Sequence, residues 1–129
     1  MIAAVATTEG VLLVDVEAEL VLGPGSELPD VERPPVELPR VVATAGAGAT
    51  VVAVVERRPP LLISRDGGVT WNEAGGGLPA GFGIAVAEDD PDRMLYAARS
   101  RLYVSRNGGV FWSSLPFELP DVLDVAWID

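Results

Sequence analysis

The 129-residue chain contains no cysteine, histidine, lysine or glutamine. Without cysteine there is no disulfide and no thiolate metal site, and cysteine usage gives no hint of compartment. Without histidine the commonest general base and metal ligand is missing. Without lysine the nine cations are all arginine, set against nineteen carboxylates for a net charge of −10. Such a surface repels phosphate backbones, which excludes a general nucleic-acid role. No apolar run approaches the roughly 18–20 residues of a membrane helix. The first ten residues lack the basic region of a signal peptide, so the expectation is a cytoplasmic protein with no membrane partner. Frequent Gly and Pro supply tight turns and argue against a helical protein.

The chain is nonetheless 49% hydrophobic, with eleven Pro and fourteen Gly. That composition fits soluble sheets buried on both faces and joined by tight turns. Two octapeptides, Ser64-Arg-Asp-Gly-Gly-Val-Thr-Trp71 and Ser105-Arg-Asn-Gly-Gly-Val-Phe-Trp112, agree at six of eight positions and start 41 residues apart. A second marker, Leu38-Pro39, Leu78-Pro79 and Leu119-Pro120, repeats at 40 and 41 residues. A period of about 40–45 residues with strand-like flanks points to β-propeller blades.

Each Leu-Pro precedes an apolar run read as the innermost strand of a blade: 41–45, 84–87 and 122–128. Second strands follow at 51–55 and 94–98, third strands at 61–64 and 102–105, and fourth strands are expected to begin around Val69 and Val110. Residues 2–7 and 11–15 read as second and third strands of a first blade without an inner strand, and 17–22 as its degenerate octapeptide. A Pro- and Glu-rich insertion follows at 23–38. The expected fold is all-β, with four-stranded antiparallel blades and three blades per chain: about 1–38, 39–78 and 79–119, with 120–129 as an inner strand completing a first blade.

The octapeptide has the chemistry of a compact turn. An Asp or Asn side chain accepts bonds from nearby backbone N–H groups, and Gly supplies positive φ. Trp71 and Trp112 add a large ring beside each turn. Asn107 keeps the acceptor oxygen of Asp66 and loses its charge, which favours a geometric role over a catalytic one. The pattern Ser64-x-Asp66-x-Gly68-x-Thr70-Trp71 resembles the Asp-box, or BNR repeat. Ser105-x-Asn107-x-Gly109-x-Phe111-Trp112 is a variant departing at Asn107 and Phe111. The resemblance implies a propeller in which the box is a structural turn away from the binding face. That family spans sialidases, endoglucanases, sortilin-type receptors and photosystem assembly factors, so function is not narrowed.

Closed propellers use about 4–8 blades. A three-bladed arc would present two uncovered apolar faces, and their burial outweighs the cost of association. The expectation is a homodimer closing a six-bladed ring, with strand 122–128 of one chain completing the first blade of its partner.

Sorting loops by face places Glu88-Asp89-Asp90-Pro91-Asp92 on the octapeptide side and Arg57, Arg58, Arg99 and Arg101 on the other. Guanidinium groups suit carboxylate or phosphate, so these four form a candidate anion-binding rim; solvent-facing charges paired with acidic residues are the alternative. Sialidase-like chemistry, as the resemblance implies it, needs an arginine cluster and a tyrosine–glutamate pair, and neither Tyr96 nor Tyr103 has a recognisable partner. Glycosidases need two carboxylates about 5–9.5 Å apart, for which Asp121, Asp124 and Asp129 are the nearest candidates. No catalytic residue, metal ligand or cofactor motif is assigned. The leading expectation is a non-catalytic scaffold for a protein, peptide or small polar ligand, anionic if it meets the rim. The alternative is a small sialidase-like or other glycan-active hydrolase, and a further one is a half-propeller that assembles with a different chain.

Overall fold

A computed structural model describes residues 1–128 and contains twelve β-strands in three four-stranded antiparallel sheets. The first sheet comprises β1 (Ile2–Thr7), β2 (Gly10–Asp15), β3 (Leu20–Pro24) and β12 (Val122–Trp127), in the order β12-β1-β2-β3. The second runs β4 (Val41–Ala47), β5 (Thr50–Val55), β6 (Leu61–Ser64) and β7 (Asn72–Ala74). The third runs β8 (Gly81–Val86), β9 (Met94–Ala98), β10 (Leu102–Ser105) and β11 (Ser113–Ser114). Among the described residues no helix is long and apolar enough to cross a membrane.

The sheets stack as propeller blades do, inner strands inward. β8 packs against both β4 and β12, whereas β4 and β12 do not touch. The third sheet is therefore the middle of an open arc. One apolar cluster (Val5, Val14, Leu95, Leu102, Leu115, Val125) joins the first sheet to the third. Another (Val52, Val54, Leu61, Ile63, Met94, Tyr96) joins the second to the third. Strand β9 of the middle sheet is buried on both faces, which accounts for its uninterrupted apolar run.

Three expectations are corrected. The last strand, assigned from sequence to a partner's first blade, pairs antiparallel with β1 of its own chain, from Ala3 opposite Trp127 to Thr7 opposite Val122. The fourth strands β7 and β11 begin after the tryptophans, not at Val69 and Val110, which are 80% and 69% exposed. In the first turn the N–H groups of Val69 and Thr70 donate to Asp66 Oδ1 and so cannot enter the ladder. Third, the outer faces of the arc are not bare. Val51, Ala53 and Leu62, on the face of the second sheet away from the third, are buried, as is Ala4 on the outer face of the first.

The insertion connects the two end sheets. Between β3 and β4 lie residues 25–40, a stretch long enough to cross from one end of the arc to the other. Gly25 N–H donates to Val11 O on the first sheet, at 2.9 Å. Thr44 Oγ1 donates to Pro34 O and Glu56 N–H to Arg40 O on the second, at 2.9 and 3.0 Å.

Candidate functional site

Two features could carry function: the octapeptide turns at the rim and the axis on which the inner strands converge. In the first turn Ser64 Oγ donates to Asp66 Oδ1 (2.7 Å) and accepts from Gly68 N–H (2.8 Å). Thr70 Oγ1 donates to Asp66 Oδ2 at 2.5 Å, and Trp71 Nε1 to Gly68 O at 3.1 Å. The Thr70 hydroxyl, then the Thr70 and other donors, hold the Asp66 carboxyl down to about 2. The second turn repeats the pattern: Ser105 Oγ donates to Asn107 Oδ1, Gly109 N–H to Ser105 Oγ, Phe111 N–H to Asn107 Oδ1, and Trp112 Nε1 to Gly109 O. Asn107 accomplishes with a neutral amide what Asp66 does with a carboxylate, so the turn needs an acceptor and not a charge.

The second octapeptide residue links blades. Arg65 donates to Gly108 O (2.8 Å) in the next turn and pairs with Asp92 (3.6 Å). Arg106 pairs with Glu17 at 3.6 Å, reaching the first sheet in the same way. There Asp15 Oδ1 accepts from Ala18 N–H, a remnant of the turn chemistry.

The axis is occupied by Arg33, from the insertion. Its Nη1 donates to Thr44 O (3.0 Å) and Ile84 O (2.7 Å), and its Nη2 to Val125 O (3.0 Å). Each acceptor lies six residues after the leucine of a Leu-Pro marker, so the three carbonyls are equivalent positions of β4, β8 and β12. Nη2 also meets both Asp124 carboxylate oxygens, at 3.2 and 3.3 Å. Arg33 lines a cavity on either side. One, about 310 Å³, carries Glu88, Asp89 and Trp127. Trp127 Nε1 is buried there without a hydrogen-bond partner among the described residues. The other, about 350 Å³, opens between Val42, Phe82 and Leu123. Those three again occupy equivalent positions, and they are 38%, 43% and 59% exposed.

No protein-family model and no curated protein matches the sequence. Among solved structures, the crystal structure of the Niastella koreensis GH74 enzyme matches with a TM-score of 0.53 and 22% sequence identity over 92% of this chain. This chain spans 18% of that enzyme's length. The likeness concerns the fold: three antiparallel four-stranded sheets arranged as propeller blades.

Three arginines of the sequence-derived rim are ion-paired. Arg57 pairs with Glu73 at 3.7 Å, Arg99 with Asp121 at 3.2 Å, and Arg101 with Glu118 at 3.3 Å. Arg58 makes no ion pair among the described residues and lines, with Arg57 and Leu78, a cavity of about 360 Å³. Of the three candidate carboxylates, Asp121 and Asp124 are each held by an arginine, and Asp129 lies outside the described residues. Tyr96 is buried, donates to Pro79 O at 2.7 Å and meets Tyr103 and Trp112 edge-to-face. Burial pushes its hydroxyl well above the usual range, which suits a core residue and not a nucleophile. Sequence reasoning missed Arg33 and the Val42–Phe82–Leu123 ring; the Leu-Pro register, extended by four and six residues, contained the signal.

Proposed function

We propose that the chain is a non-catalytic β-propeller scaffold, a three-bladed arc that its own insertion closes and that binds a protein or peptide at the channel mouth. In the same proposal the two octapeptide turns are Asp-boxes with a structural role. The observation that carries it is the mouth itself. Three inner strands present Val42, Phe82 and Leu123 to solvent at equivalent positions around one cavity, over a floor of Arg33 and Asp124. Exposed apolar side chains grouped around a concavity mark a binding surface. The non-catalytic part is supported by the carboxylates: Asp121 and Asp124 are each committed to an arginine. An anionic group on the partner has Arg58 beside the same face as its counterpart.

The test compares wild type with a Phe82→Ser/Leu123→Ser variant as bait for partner capture. The reading expects a protein retained by wild type and lost from the variant at unchanged Tm; equal retention contradicts it. Turnover of chromogenic glycosides by wild type would return the hydrolase reading to first place.

A further inference from the structure

We propose that the axis is a guanidinium-recognition site, filled in cis by Arg33 and competent to take an alkylguanidinium or the arginine side chain of another segment. Inner strands are the edges of their sheets, and edge carbonyls that water does not reach need a donor. Thr44 and Ile84 aim their carbonyls at Nη1, whereas Val125 and both carboxylate oxygens of Asp124 converge on Nη2. One planar cation with several donors in fixed directions satisfies all of them; an ammonium, with three donors on one atom, cannot span the set. The acceptors belong to the folded sheets, whereas the donor arrives on an insertion tied down at few points. Host and guest are thus separate pieces of the structure. Arg33 is 28% exposed and Asp124 44% exposed, so the site communicates with solvent. Cavities of about 310 and 350 Å³ flank the guanidinium, and its removal would join them across the axis.

The experiment is chemical rescue of full-length Arg33→Ala, with methylguanidinium as the probe and methylammonium as the control. The substitution should lower Tm by roughly 5–15 °C, since it leaves several acceptors unpaired. Methylguanidinium at tens of millimolar should then raise the Tm of Arg33→Ala in a saturable way and leave wild type unraised. Arg33→Ala/Asp124→Asn should lose most of that response. If Arg33→Ala alone is unfolded, recovery of its β-sheet circular dichroism on adding methylguanidinium is the supporting result. An unchanged Tm for Arg33→Ala, a response no larger than that to methylammonium, or no recovery of an unfolded variant overturns the site. None of these readouts depends on the mouth or its partner, so the two readings fail separately.

Discussion

Asp66 accepts from Thr70, Ser64 and Val69, and its folded pKa of about 2 lies below the ordinary 3.8. A depressed carboxyl contributes stability that is fully present above the unfolded value and is lost as pH falls through the folded one. The window is therefore about pH 4 down to about pH 2. Asp66→Asn, which copies the natural Asn107, should flatten that acid limb: its Tm should fall less than that of wild type between pH 5 and pH 2, and parallel curves contradict the assignment. Gly81 makes a second residue-scale case. A Cβ there would land on the Tyr96 ring, whose hydroxyl is committed to Pro79 O. Gly81→Ala should cost about 1–3 kcal/mol in urea unfolding, as overpacking of a rigid aromatic does. The turn residues were legible in the sequence because their partners lie within four positions. Arg33 was not, since its partners lie 11, 51 and 92 residues away. The acidic neighbours of the candidate rim were not legible for the same reason: Glu73, Asp121 and Glu118, which pair with Arg57, Arg99 and Arg101, come from separate segments.

Among the elements, second and third strands were read almost to the residue because each is a short apolar run between Gly- or Pro-rich turns. Fourth strands were placed too early, because backbone that looks β-prone at Val69 and Val110 belongs to the turn. The spare inner strand shows where sequence order is silent. A first sheet lacking an inner strand and a chain end supplying one are compatible with pairing inside the chain or across two chains. In this structure the pairing lies within the chain, with residues 25–40 running from β3 to β4 while the links into β8 and β12 are only residues 75–80 and 115–121. Truncation before Val122 removes Val122 and Val125 from the cluster shared with the third sheet and uncovers the edge of β1. The truncated chain should lose cooperative unfolding of the first sheet, visible as dye binding and loss of amide protection in β1; retained protection there would show that β12 is dispensable. The β3 edge is a contrast within the same fold. Leu20, Val21 and Leu22 are 56%, 40% and 53% exposed, whereas β7 and β11 present Asn, Glu and Ser. An exposed apolar edge strand is an association risk, and Val21→Lys should reduce aggregation on prolonged concentration, measured by light scattering.

At the scale of the molecule, counting blades led to a dimeric ring because three sheets cannot encircle an axis. The insertion changes that argument. It bonds the first sheet through Gly25 and the second through Pro34, and its Arg33 bonds carbonyls of all three inner strands. In the proposed reading the insertion closes the arc, which then needs no second copy to bury its ends. Shape, then, followed from the repeat, while the proposed closure rests on the one segment that does not repeat. The most direct measurement is the solution mass of the full chain at micromolar concentration by light scattering. A mass near 13.5 kDa, unchanged on dilution, is the result expected of an arc closed by its own insertion. A stable species of twice that mass would contradict it and restore the six-bladed ring.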